Sequence, residues 1–350
     1  MAINILIIDE NTPGHTVQAH SIANLIQNNN YENTNIECIS FHYKLRGIFR
    51  PLIRFILKLF KNNTKLQQYI LKICGTLKSK PKNIPHLIIS SGGKSICASF
   101  ILKCAYNAKN IYVGIPDPYP EQLFDFIVSP IDRNFTVPYI KTGIIPNTID
   151  IKQIQYIGKD YWKDNLIKND CWALMIGGNS KSHHYTLEDW NGLIQGIEQL
   201  SKIHNIKWLI TTSRRTPIEI EELLDTKLNR CYTVELVLYN RNPKKVIKPF
   251  LYKAKKVFVT QDSLTMASEA LCSGKPVVLI YPNKVSLKDG TYFKQMIMTF
   301  SNLTGVERTA MKKLALFEPL YTKDYSNEIT KMLTELNRNI FSKIKSILFP

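Results

Sequence analysis

The sequence predicts an α/β protein made of two parallel-sheet domains in tandem. Three observations predict it. Short apolar runs rich in β-branched residues alternate with stretches of helical periodicity, the pattern of βαβ units. A chain of 350 residues favours two domains over one. The strand–loop–helix pattern also restarts at Trp172, after a stretch at 143–170 that carries Pro146, Asn147 and Gly158 and reads as a connection.

Composition bounds the class. With 44% hydrophobic and 21% charged residues the chain is globular and able to fill full cores. No uncharged apolar run reaches the length of a membrane span, and MAINILIIDE lacks the basic start of a signal peptide. The seven cysteines show neither CxxC nor Cys/His spacing, which reads as reduced cytosolic thiols rather than a disulfide frame or zinc site. A formal charge of +18 implies an acidic partner (anionic lipid, nucleic acid or a phosphorylated substrate) or reflects the Ile, Asn and Lys usage of an AT-rich genome. Nucleic acid is disfavoured, because no aromatic–basic motif or helix-turn-helix accompanies the charge.

In the first half, Ile3–Ile8 is a buried strand, and the loop Asp9–Gly14 leads into a helix over His15–Gln27. The loop is not GxGxxG, so a dinucleotide fingerprint is absent. His15 at the helix start suits a general base or simply hydrogen-bonds the loop. Asn35–Phe41 is the next strand. Residues 44–61, KLRGIFRPLIRFILKLFK, set apolar positions at helical spacing among six basic and no acidic side chains, as a membrane-surface helix requires. An ordinary amphipathic helix broken at Pro51 is the alternative. Leu87–Ser90 precedes SGGKS, which lacks the upstream glycine of a phosphate loop. Strands at Ile111–Ile115 and Phe124–Ser129 follow, the first running into Pro116–Asp117–Pro118.

In the second half, Trp172–Ile176 leads into Gly177, Gly178, Asn179, Ser180 and Lys181, a loop whose backbone can approach a diphosphate closely. Thr186 is the expected N-cap of a helix from Leu187 to Leu200. Lys207–Thr212 runs into Ser213, Arg214, Arg215 and Thr216, where two arginines at a strand end suit bidentate phosphate contacts. Pro217 is placed at the first turn of the next helix. Residues 255–282 read strand, loop, helix, strand: Val257–Thr260, then Gln261, Asp262 and Ser263, a helix over Leu264–Cys272, Gly274 at its left-handed end, and Val277–Tyr281. Ser263 is the expected N-cap, Thr265 and Ser268 offer hydroxyls, and Glu269 suits a ribose diol. Capping alone is the competing reading. Three strand-end loops, 177–181, 212–216 and 261–265, thus carry Gly, Ser, Thr and Arg to one sheet edge, which points to a nucleotide or phosphosugar site.

The segments LMIGGNSKSHHYT, LITTSRRTP and VFVTQDSLTMASEALCSGKPV, with DENTPGHTVQ, IISSGGKS, GIPDP and FDFIVSPIDRN, resemble the signatures of the mitochondrial-fission Elm-type family, widespread in bacteria. The similarity spans most of residues 3–320. It departs from the family at Ile131–Asp132, where a His–Asp pair is usual, and in FEPLYTKDYS. That family resembles GT-B glycosyltransferases, which implies two Rossmann-like domains facing across a cleft, with donor in the C-terminal one and acceptor in the N-terminal one. DSLTMASEA looks like the helix start of the lipid-II-forming N-acetylglucosaminyltransferase, whose equivalent glutamate holds the ribose. This supports Glu269 in that role.

The resulting expectation is an N-terminal domain over 1–145, a linker over 146–170, a C-terminal nucleotide-sugar domain over 171–315 and a helical tail over 316–350. Activity is expected to be metal-independent transfer from a nucleotide-sugar to a membrane-associated lipid or lipopolysaccharide-type acceptor. His15, Asp9 or Asp117 would take the acceptor proton. Arg214, Arg215 and the helix start at Ser263 would meet the diphosphate. No cofactor beyond the donor is implied. The expected location is cytoplasmic, peripheral to the inner membrane face through 44–61. Eukaryotic members of the family, described as adaptors recruiting a fission GTPase, imply a non-catalytic alternative.

Overall fold

A computed structural model describes residues 3–29, 34–45, 53, 55–57, 64–165, 167–288 and 291–348. The chain divides into two compact units, residues 1–148 with 334–350, and residues 149–333.

The first unit holds a seven-stranded sheet: β1 (Ile3–Asp9), β2 (Thr34–Tyr43), β3 (Gly75–Leu77), β4 (Leu87–Ser91), β5 (Lys109–Val113), β6 (Phe126–Ser129) and β7 (Tyr139–Lys141). Their order is β3-β2-β1-β4-β5-β6-β7, parallel except for the β2–β3 pair. Side chains alternate across a strand, so Ile5 and Ile7 pack with the Pro13–Asn28 helix while Leu6 and Ile8 pack with the Ile96–Tyr106 helix. Both faces are covered, which is why β1 reads as a continuous apolar run. The C-terminal helix Ser326–Leu348 buries Ile340 and Ile344 in the first of these cores. Strands β3 and β7 escape the sequence reading because three residues are too few to display a period. Strand β5 stops at Val113 rather than Ile115, since Gly114 turns to a φ of 123°.

Most of the basic segment 44–61, and with it the stretch on which the membrane-helix expectation rests, lies outside the described residues. Of its described positions, Ile53 and Leu57 are buried in the first unit's core and Phe55 is exposed. No helix among the described residues is long and apolar enough to cross a membrane.

The second unit holds a six-stranded parallel sheet of order β11-β10-β8-β12-β13-β15 and a two-stranded ribbon of β9 and β14. The strands are β8 (Asp170–Met175), β9 (His183–His184), β10 (Ile206–Thr211), β11 (Thr233–Val237), β12 (Ala254–Thr260), β13 (Val277–Tyr281), β14 (Lys284–Val285) and β15 (Val306–Ala310). Trp172, Trp208 and Phe258 from adjacent strands stack on one face and form the aromatic centre of the core. Thr186 caps the Leu187–His204 helix in a full capping box with Asp189, worth about 1 kcal/mol. The expected helix Leu264–Cys272 forms between those bounds, with Gly274 left-handed after it. Pro217 occupies the N-cap of Ile218–Lys227, one position earlier than expected. Within 146–170 the chain forms a helix, Ile151–Tyr161, capped by Asp150 and belonging to the second unit. Only Ile154 and Gly158 of that helix are buried. Strand β15 was hidden in the sequence by Glu307 and Arg308, which interrupt its apolar pattern.

Candidate functional site

In each sheet the strand order reverses at one point, where neighbouring strands send their following connections in opposite directions. Their carboxyl-end loops then part and leave a crevice. In the second unit this point lies between β8 and β12, with β10 on the far side of β8.

The loops after these strands are locked together by Asp262. Its buried carboxylate accepts from Gly178 N–H at 3.0 Å and from the Tyr185 hydroxyl at 2.9 Å, and pairs with Arg215 at 2.7 Å. Burial raises its pKa against the opposing pull of Arg215. Gly177 N–H donates to Thr260 Oγ1 at 2.6 Å, and Gly177 carbonyl accepts from Ser213 Oγ at 3.1 Å and Thr216 Oγ1 at 2.5 Å. Neither glycine tolerates a side chain. A Cβ at Gly177 would meet the Asp262 carboxylate, and one at Gly178 would meet the Arg215 carbonyl. This close approach of backbones is the physical reason for the Gly-Gly pair.

Other side chains of these loops have defined tasks. Asn179 Oδ1 accepts from Tyr185 N–H at 2.8 Å, and Ser180 Oγ from His183 N–H at 3.1 Å. The Thr212 hydroxyl donates to the buried Glu221 carboxylate at 2.5 Å, so it fixes the loop. Lys181 and Arg214 are exposed, and Arg214 forms no ion pair among the described residues. Ser263 occupies the N-cap of the Leu264–Cys272 helix, but its hydroxyl makes no capping bond and Asp262 is engaged elsewhere. The capping role expected for Ser263 is thereby corrected. The Asp262 carboxylate is held by Gly178, Tyr185 and Arg215, and the N-cap position makes no side-chain capping bond. Thr265 is half-buried and Ser268 buried. Glu269 is half-buried on the same helix, and burial, opposed by Lys248, lifts its pKa to about 7.

In the first unit the reversal lies between β1 and β4. There His15 Nδ1 meets the buried Glu10 carboxylate at 2.6 Å, and Glu10 also accepts from Lys94 N–H at 2.8 Å. Burial works to raise the Glu10 pKa, but the bond and charge of His15 and the Lys94 amide bring it below the usual value. Gly92, at a φ of 88°, admits this pair; a Cβ there would strike both the Glu10 carboxylate and His15 Nδ1. Asp9 Oδ1 is taken by the Thr16 hydroxyl at 2.6 Å and Asn11 N–H at 2.8 Å. Asp117 is paired with Arg133 at 2.9 Å and is exposed.

The fold therefore gathers 177–179, 213–216 and 260–262 into one lock and sets Glu269 on the helix that follows. Sequence reasoning missed Glu10, Tyr185, His183 and Arg308. Glu10, an acid five positions before His15 at a strand end, was the one with a readable signal.

The family described as mitochondrial fission ELM1 matches residues 13–310. The chain belongs to that family. An uncharacterized protein of Rickettsia prowazekii, RP120, is 24% identical over 295 residues, covering 73% of this chain and 81% of that protein. Among solved structures, Arabidopsis thaliana UGT89C1 complexed with UDP-L-rhamnose superposes with a TM-score of 0.56 at 12% identity, over 99% of each chain. A putative UDP-N-acetylglucosamine 2-epimerase from Listeria monocytogenes gives 0.54 at 15% identity, over 98% of this chain and 91% of that one. This ELM1-family chain thus has the mixed α/β, parallel-sheet fold of GT-B glycosyltransferases and epimerases.

Proposed function

We propose that the protein is a GT-B-type glycosyltransferase that transfers a sugar from a nucleotide-sugar donor to a membrane-associated lipid or lipopolysaccharide-type acceptor. The observation that carries the reading is the lock at the β8/β12 reversal, which ties the loop carrying the exposed Arg214 to the Gly177–Gly178 turn and to Asp262, just before a helix start that Ser263 leaves uncapped, with Glu269 further along that helix. Arg214 and the helix N–H groups meet the charge of the departing nucleoside diphosphate. Glu269 accepts from the ribose diol, and that partner repays a carboxylate held at a raised pKa. The nucleotide-sugar is the only small molecule this reading requires.

In the first unit His15 takes the acceptor proton and Glu10 orients and stabilises the imidazolium that forms. His15 is preferred to Asp9 and Asp117, whose carboxylates are engaged by Thr16 and Asn11, and by Arg133. The basic side chains of 44–61 supply attraction to an anionic membrane face on the cytoplasmic side.

A non-catalytic membrane adaptor is the second reading, favoured by the closure of Arg215 onto Asp262 within the chain. Calorimetry against nucleoside diphosphates and their sugars decides between the two. Binding that Arg214→Ala and Glu269→Ala each weaken at least about tenfold, or about 1.4 kcal/mol, supports the transferase. Absence of binding to every nucleotide leaves the adaptor.

A further inference from the structure

The transferase reading leaves one cluster of the second unit unused. Gln261 and His183 are almost fully buried, and each has a side-chain nitrogen with no partner, Nε2 in both cases. Buried polar atoms are nearly always satisfied, so each orphan calls for an explanation. Both belong to one charged neighbourhood. Arg308 reaches from β15 over the Tyr281 ring, at 5.1 Å, and donates to Gln261 Oε1 at 3.1 Å. Gln261 precedes Asp262, which holds Arg215. His183 is braced by Phe293, ring to ring at 4.9 Å, and by the Ser182 hydroxyl on Nδ1 at 2.9 Å. With that hydroxyl donating, the imidazole carries its proton on the unpartnered Nε2. The ring stays neutral: burial first, then the charges of Arg215 and Arg308, lower its pKa to about 4.

The arrangement supplies donors and positive charge. Two orphan N–H groups, one exposed guanidinium fixed by an aromatic ring and a second guanidinium already balanced suit a group with several acceptor oxygens.

We propose that Gln261, His183 and Arg308 form an oxyanion subsite, which takes a phosphoryl or carboxylate group of the ligand bound by the second unit. The proposal rests on the transferase reading for the rest of that ligand, but not for the subsite itself. Two sources share this chemistry: the distal phosphoryl of a nucleoside diphosphate, and the carboxylate of an acidic sugar.

The test compares the full chain with Arg308→Gln and Gln261→Leu, each first shown by circular dichroism to fold. Titrations use inorganic phosphate, pyrophosphate, a nucleoside monophosphate and diphosphate, and a nucleoside diphosphate sugar in neutral and uronic acid forms. The expected result is a loss of roughly tenfold or more for ligands carrying the group, on the scale of about 1.4 kcal/mol. Ligands lacking it bind the variants as they bind the unaltered protein. Sensitivity beginning at the diphosphate identifies the phosphoryl; sensitivity confined to the uronic acid form identifies the carboxylate. Unchanged affinity for every ligand in both variants, or no binding of pyrophosphate and of the uronic acid form alike, overturns the subsite. Nucleotides that bind no better than pyrophosphate, with Arg308→Gln still weakening pyrophosphate, overturn the donor reading and leave the subsite standing.

Discussion

Glu269 offers a direct measurement of what the candidate site costs the fold. The group sits on the Leu264–Cys272 helix, half-buried, and its pKa rises from an ordinary 4.5 to about 7 because burial outweighs Lys248. An acid whose pKa is raised by folding binds more protons in the native state than in the unfolded one. Stability is therefore greatest below pH 4.5 as far as this group is concerned, and falls as pH rises toward 7. At 1.36 kcal/mol per pKa unit the full loss is about 3 kcal/mol, complete by roughly pH 8. Replacing Glu269 with Gln keeps the shape and removes the titration. Urea denaturation of both proteins between about pH 5 and pH 8.5 should show the variant gaining about 2.5 kcal/mol relative to the parent across the range. Nucleotide binding near pH 6.5 should release a proton in the parent and none through this group in the variant, which calorimetry in buffers of different ionisation enthalpy reads directly. Parallel stability profiles would refute the argument, since they would mean that Glu269 titrates as in water.

Four further outcomes follow from the same contacts. Arg215→Ala removes the cation facing the buried Asp262 carboxylate, which keeps the Gly178 N–H and the Tyr185 hydroxyl, and should cost about 2 kcal/mol in urea denaturation, whereas Arg214→Ala, exposed and in no ion pair among the described residues, should stay within about 0.5 kcal/mol. Gly92→Ala forces a Cβ into Glu10 and His15 at a φ of 88° and should lower stability by about 2 kcal/mol or more. Once a donor and acceptor are identified, Glu10→Gln should lower kcat about 100-fold with donor affinity unchanged, because it removes the carboxylate partner of His15 while the residues proposed to hold the donor belong to the other unit. Vesicles containing anionic lipid should retain the protein at low salt and release it at about 1 M salt, where screening reaches a few ångströms; retention by neutral vesicles alone would argue against the basic segment 44–61 as the contact.

The sequence by itself determined the class of fold and the edges at which chemistry could gather. Ile3–Ile8, Val257–Thr260 and Val277–Tyr281 are apolar on both faces, and only a parallel sheet covered by helices on both sides has a use for such runs. Gly177–Gly178, Arg214–Arg215 and Asp262–Ser263 stood out because each breaks an apolar run at the strand's carboxyl end. What it did not determine was who holds whom. Asp262 lies 84 positions from Gly178 and 47 from Arg215, and the lock exists only because β12 and β10 flank β8. Strand order is a long-range property with no local trace in the chain. The same holds for Gly92 admitting the Glu10–His15 pair across the β1–β4 reversal, and for Arg308 reaching Gln261 from a strand whose charges hid it. Local periodicity reports which face of an element is buried; pairing across the sheet decided which loops meet.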